Sequence, residues 1–301
     1  MSLESVRTPD DRFQTIPDFG FAPNYVDDLP GYQGLRVHYL DEGPTDSDRV
    51  FLCLHGQPTW SFLYRKMLPV FVESRARVIC PDWLGFGRSD KPVDDAVYTF
   101  HFHRNMMIAL IERLDLRNIT LVCQDWGGIL GLTIPMEMPE RFARLLVMNT
   151  AIPTGQSPGP GFDAWRAYNR SQPDMDIAAL MKRGTPVLSD DEAQAYAAPF
   201  PDVTYKAGVR RFPELVMTDP DMEGVATSKR AATWWRENWS GESFMAVGAK
   251  DPVLGPPLMA ALRDTIRGCP EPMVVEDGGH FVQEWGEPIA RAALSRWGDL
   301  G

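Results

Sequence analysis

No run in this chain approaches the roughly 18 consecutive apolar residues that a membrane-spanning helix needs. Its opening residues, Met-Ser-Leu-Glu-Ser-Val-Arg-Thr-Pro, lack the apolar stretch of about 7–15 residues that a leader peptide carries. Basic residues are in deficit: 30 Lys and Arg face 41 Asp and Glu, a formal charge of −11. Nucleic acid and anionic lipid repel such a chain, so neither is expected as a partner. The four cysteines form no C-x-x-C pair, and no His stands at zinc spacing from them. The expectation is buried free thiols, no metal, a cytoplasmic location and a monomer. Internal repeats, charge runs and low-complexity tails are also missing.

What the chain does have is material for a core. Over 301 residues, 44% are hydrophobic and 11% aromatic, which suits a folded enzyme-sized unit rather than a disordered one. Short apolar runs bounded by Gly, Pro and Asp predict strands at Leu35–Tyr39, Val50–His55, Arg77–Cys80, Ile119–Cys123, Leu145–Met148, Phe244–Val247 and Met273–Val275. Helix-length amphipathic stretches lie between them, at Phe100–Leu114, Trp126–Met138, Leu258–Ile266 and Ile289–Trp297. Strands alternating with helices predict an α/β class with a doubly wound, mostly parallel sheet. The alternation breaks between 152 and 240, where helical patches, Pro-rich turns and Trp165, Trp234, Trp235 and Trp239 occur. We therefore expect a core of residues 1–151 and 241–301 with a helical cap, 152–240, inserted between its parts. A cleft between cap and sheet is the expected ligand site.

The segment Leu121-Val122-Cys123-Gln124-Asp125-Trp126-Gly127-Gly128 runs from a buried strand into a helix, with small residues after the turn. Asp125 there is either a nucleophile presented on a sharp elbow or a cap for the helix that begins at Trp126. An ionised carboxylate needs no base in order to attack, and it forms an ester with an electrophilic carbon. Two later segments favour the first reading. Phe244–Asp251 is a strand ending in an acid, and Glu276-Asp-Gly-Gly-His280 follows the apolar Met273–Val275. Nucleophile, acid and histidine in that order, each at the carboxyl end of a predicted strand, is the order of the α/β-hydrolase fold. His55-Gly56-Gln57-Pro58 follows an early strand, so the backbone N–H groups of Gln57 and Trp126 are candidates for an oxyanion hole. Gly155-Gln-Ser157-Pro158-Gly159 matches a serine-hydrolase pattern only literally, since Pro158 lacks the N–H such a site needs. His101 and His103, two apart on a predicted helix, do not share a face and make a poor metal site.

Taken together, Asp125-Trp126, His55-Gly-Gln-Pro-Thr-Trp60, Asp82-Trp-Leu-Gly-Phe-Gly-Arg-Ser-Asp90, Asp251 and Gly279-His280-Phe281 resemble the haloalkane dehalogenases, in particular the group typified by the 1,2-dichloroethane enzyme. The likeness extends to Tyr196–Pro201, Gly208–Pro213 and Leu254–Pro256 in and near the predicted cap. It implies an α/β-hydrolase that needs no cofactor and converts a haloalkane to alcohol, halide and a proton through an alkyl ester on Asp125. His280 would be the general base and Asp251 the acid that orients it, since the alternative place for the acid reads Met148-Asn149-Thr150. The resemblance also implies that indole N–H groups of Trp126 and Trp165 hold the halide. Ile129, Phe162, Phe212, Pro213, Val216, Val253 and Leu254 would form the pocket wall. Gln57 stands where relatives often have Glu or Asn, and the segment from Thr150 to Trp165 is short and rich in Gly and Pro. Two other readings stay open on sequence: an epoxide hydrolase drawing an acidic O–H from Tyr168, Tyr196 or Tyr205, and an inactive ligand-binding relative.

Overall fold

A computed structural model describes residues 3–300 of the chain. Eight strands form one sheet: β1 (Asn24–Val26), β2 (Val37–Glu42), β3 (Val50–Leu54), β4 (Arg77–Pro81), β5 (Ile119–Gln124), β6 (Phe142–Met148), β7 (Glu242–Gly248) and β8 (Met273–Val275). Their spatial order is β1-β2-β4-β3-β5-β6-β7-β8. Pairing is antiparallel for β1 with β2 and β2 with β4, and parallel across the rest. This is the α/β-hydrolase architecture. Every residue of β3 and β5 is buried, because both faces of the sheet are covered and an apolar run needs no alternation there.

The chain leaves β3 to form β4 on one side, then returns to place β5 on the other side of β3. The carboxyl ends of β3 and β5 therefore flank the point where the winding reverses, which opens a crevice. Leu54 at the end of β3 lies opposite Cys123 of β5, one residue before Gln124 closes that strand.

All seven predicted strands occur, with β2 displaced toward its C-terminus; β1 is an additional three-residue edge strand. The helix predicted over Trp126–Met138 ends at Gly131. Thr133 turns its hydroxyl onto the Leu130 carbonyl, and Pro135 has no N–H to continue the ladder. The four cysteines are free, three of them buried.

Helices α1 (Leu68–Glu73), α2 (Phe100–Arg113) and α3 (Trp126–Gly131) follow β3, β4 and β5. Between β6 and β7 come five more: α4 (Pro160–Ser171), α5 (Ile177–Gly184), α6 (Asp190–Ala197), α7 (Ala207–Leu215) and α8 (Val225–Glu237). Helices α9 (Pro256–Thr265) and α10 (Gly286–Trp297) complete the chain. Among the five, α8 stands apart. It packs beside α9, and Trp235 donates its indole N–H to the Leu132 carbonyl, so it braces the sheet unit.

The turn from β5 to α3 depends on close approach. A Cβ on Gly127 would overlap the Leu54 carbonyl oxygen at the end of β3. A backbone oxygen cannot move aside without disturbing the strand. Gly127→Ala should therefore cost about 3 kcal/mol through forced displacement, lowering the melting temperature by about 6 °C or more. A thermal unfolding curve that overlays the parent would contradict this packing account.

Candidate active site

Asp125 sits at the turn with φ +49° and ψ −125°, outside the comfortable range for a residue with a Cβ. Its backbone is pinned from β6's carboxyl end: its N–H donates to Asn149 O at 3.0 Å and its carbonyl accepts Thr150 Oγ1 at 2.7 Å. Its side chain makes no capping bond to α3, which removes the helix-cap reading. Instead Oδ2 accepts the Gln57 backbone N–H at 2.8 Å, and the Trp126 N–H also bonds to the carboxylate. Gly56 makes this possible, since a Cβ there would strike the Asp125 carboxylate. The pair of N–H groups expected from the sequence thus converges on one carboxylate. Burial raises the Asp125 pKa, and the His280 charge and the Gln57 and Trp126 amides oppose that rise.

The other oxygen, Oδ1, faces His280 Nε2 at 3.8 Å. His280 lies in the loop after β8, and its Nδ1 is 2.8 Å from Asp251 Oδ2, in the loop after β7. Asp251 is buried and fully engaged: Oδ2 also accepts Asn149 Nδ2 at 2.9 Å, and Oδ1 accepts the N–H groups of Val253 at 2.9 Å and Leu254 at 3.1 Å. Burial would raise its pKa, but the His280 charge, the hydrogen bond from His280 and the two amides hold it at about 2. For His280, burial alone would lower the pKa. The charge of Asp251, its hydrogen bond and the charge of Asp125 outweigh burial and carry His280 up to about 9. Asp251 accepts at Nδ1, so Nδ1 carries the ring proton and Nε2 presents a lone pair when the ring is neutral.

These groups form the floor of a cavity of about 280 Å³ whose surface is mostly apolar. Gln57, Asp125, Trp126, Ile129, Phe162, Trp165, Pro213, Val216, Asp251, Val253, Leu254 and His280 all line it. Phe212 does not. Its ring packs edge-on against Trp126 at 4.8 Å, with Phe86 and His103 at the same separation behind it, so it buttresses the indole rather than walling the pocket. Other indoles are engaged elsewhere: Trp60 and Trp83 donate to backbone carbonyls and Trp239 to Ser243.

Several neighbours were not among the expected wall residues. Pro58, Leu180 and Phe281 also line the cavity, as do Arg183 and Lys250, the latter ion-paired with Asp277. The Asn149 amide occupies the alternative acid position as a donor to Asp251. Glu284, four residues after His280, is gripped at both oxygens by Arg65 at 2.7 Å, and Tyr196 on α6 hydrogen-bonds to it as well. That cluster ties the His280 segment to the helices above the sheet. Ser157, of the literal serine motif, lies in the exposed approach to α4 with its hydroxyl toward Asp163. His103 is buried while His101 is exposed, so the two do not converge.

Residues 49–287 match the family described as alpha/beta hydrolase fold. A haloalkane dehalogenase of Psychrobacter cryohalolentis is 44% identical over 296 residues, 96% of each chain. The chain belongs to the haloalkane dehalogenases. Another member of that family, from Mycolicibacterium paratuberculosis, is 38% identical over 98% of each chain. Among solved structures, the haloalkane dehalogenase DpaA of Paraglaciecola agarilytica, reported as tetrameric, superposes with a TM-score of 0.96 at 53% identity, covering 97% of this chain and 98% of that one. DatA of Agrobacterium tumefaciens, at 24% identity and a TM-score of 0.75, shares the fold.

The Asp251 environment has a measurable consequence. An acid whose folded pKa is lowered from 3.8 to about 2 contributes stability that is complete above its unfolded value and is lost as pH falls through the folded one. The difference in melting temperature between this dehalogenase and its Asp251→Asn variant should stay level from about pH 6 down to about pH 4, below the window in which His280 titrates, and narrow below pH 4. A difference that widens as pH falls below about 4 would contradict the assignment of an ionised, hydrogen-bonded Asp251.

Proposed function

We propose that this haloalkane dehalogenase cleaves the carbon–halogen bond with Asp125 as its nucleophile, His280 as base and Asp251 as the residue that orients His280. The observation that carries the proposal is the division of labour at the Asp125 carboxylate. Oδ2 is held by the Gln57 N–H, with the Trp126 N–H also on the carboxylate, and Oδ1 faces His280. Oδ1 attacks the carbon bearing the halogen, a C–O bond forms as the C–X bond breaks, and the halide leaves with the bonding pair. Trp126 and Trp165 donate indole N–H groups to the growing charge on the halogen, each such bond to charge being worth about 1.5–3 kcal/mol.

In the second half His280 takes a proton from water, whose oxygen attacks the ester carbonyl of Asp125. Oδ2, which already rests on the Gln57 amide, then becomes the oxyanion, with the Trp126 amide as its second donor. Collapse breaks the carbonyl-to-alkoxy bond. The alcohol departs with one of water's protons, the other goes to solvent, and the carboxylate is restored. No step calls for a cofactor.

Segment 152–240 acts as a cap in this proposal, with α4 supplying Phe162 and Trp165, α5 Leu180, α7 Pro213, and Val216 just beyond it. In this reading the enzyme works as a monomer in the cytoplasm. The pocket is narrow and apolar, suited to short haloalkanes. The epoxide-hydrolase reading loses support because Tyr168, Tyr196 and Tyr205 are not among the cavity-lining residues, and Tyr196 is engaged with Glu284.

His280→Ala should retain the first half and lose the second. Incubated with a short bromoalkane, it should gain the mass of one alkyl group on the peptide containing Asp125 and release one equivalent of halide. Unmodified protein alongside binding of the same bromoalkane would refute the ester. Trp165→Phe should slow ester formation about tenfold or more, from the loss of one charge-directed donor, while leaving hydrolysis of the preformed ester near the parent rate. An unchanged rate of ester formation would remove Trp165 from the halide site.

A further inference from the structure

Gln124, the last residue of β5, is fully buried directly before the nucleophile, and the reaction described above does not use its side chain. Its amide nitrogen stands 3.0 Å from the His280 carbonyl oxygen and 3.1 Å from His280 Nε2. The carbonyl can only accept, which fixes the amide with nitrogen toward His280. On the opposite side, Gln283 Nε2 donates toward Gln124 Oε1 at 3.5 Å. When the ring is neutral, both amide protons therefore have acceptors on one residue, the backbone oxygen and the ring lone pair of His280. A donor aimed at Nε2 is compatible with a neutral ring and opposes an imidazolium, whose own N–H would point at it.

We propose that Gln124 is a positioning residue for ester hydrolysis, its amide holding His280 by the backbone oxygen and resting on Nε2 so that the ring stays unprotonated until water displaces the amide from that lone pair and gives up its proton there. The charged groups acting on the ring are Asp251 at Nδ1 and Asp125 on the nucleophile side, and both favour the imidazolium. Lys250 is paired with Asp277, and Glu284 with Arg65 and Lys66. In the ester Asp125 is uncharged, so at the hydrolysis step Gln124 opposes the remaining pull of Asp251. After the ring takes up a proton from water, the same donor faces Nε2–H and favours passing that proton on as the alkoxy group leaves.

This inference rests on His280 serving as the base. The test measures ester hydrolysis separately from ester formation, by rapid quench and mass, across pH 5–10 for the parent, Gln124→Met and Gln124→Glu. Methionine fills the same space without donors, and glutamate places an acceptor beside Nε2. The acid limb of ester hydrolysis should move to higher pH by about one unit in Gln124→Met, and further in Gln124→Glu. Below the limb hydrolysis should be about tenfold slower in Gln124→Met, converging on the parent above it. A uniform loss at every pH, or a limb that stays in place, overturns the proposal. Ester formation in each variant verifies a folded site. Should neither variant form ester, ¹⁵N NMR of the parent above the His280 titration decides: a neutral ring whose Nε2 accepts from the Gln124 amide supports the proposal, and an Nε2 without that donor overturns it. Failure of the base assignment itself would show instead as no trapped ester in His280→Ala.

Discussion

Everything at this site depends on how closely three strand ends approach one another around a single strained residue. Asp125 occupies positive φ at the turn from β5 to α3, with β3's last carbonyl on one side and the residues after β6 on the other. Strain of this kind, of the order of 1–3 kcal/mol, persists only where neighbours over-determine the conformation. Here the neighbours are the Asn149 and Thr150 bonds to the Asp125 backbone and the glycine contacts at 56 and 127. The result is a carboxylate with one oxygen immobilised on amides and the other exposed to the cavity.

The electrostatics follow from that placement. Three ionisable groups, Asp125, His280 and Asp251, lie in a row in a largely apolar setting, where charge is costly unless matched. Asp251 is matched at every turn, by His280, Asn149 and two backbone amides, and remains ionised. Asp125 is matched less completely and its pKa moves up. Conversion of Asp125 to an ester removes one of the two charges that favour protonated His280, so the ring's pKa falls and more of it is unprotonated when hydrolysis calls for a base. The chemistry of the first half therefore prepares the second.

Much of this was legible in the residues. The apolar runs at 50–54 and 119–123 announce central parallel strands, and the order Asp125, Asp251, His280, each just past the end of a strand, marks the groups proposed to react. Other features were illegible for physical reasons. Phe212 shares a helical stretch with Pro213 and Val216, but spacing alone does not say which of them meets the Trp126 ring and which meets the cavity. Gln124 reads as one more residue of a buried strand until the fold sets His280 beside it. Arg183 and Lys250 resemble any solvated cation in sequence, because the rim they join is assembled from segments far apart along the chain. The helix predicted to Met138 failed because Pro135 and the side-chain bond of Thr133 act locally against an otherwise favourable pattern.

The covalent role of Asp125 is most directly tested by the fate of water's oxygen. A single turnover with enzyme in excess, run in ¹⁸O-labelled water, should give alcohol carrying unlabelled oxygen from Asp125 and leave ¹⁸O in the peptide that contains Asp125. Alcohol carrying ¹⁸O, with that peptide unlabelled, would mean that water attacks the haloalkane directly, and would contradict the account.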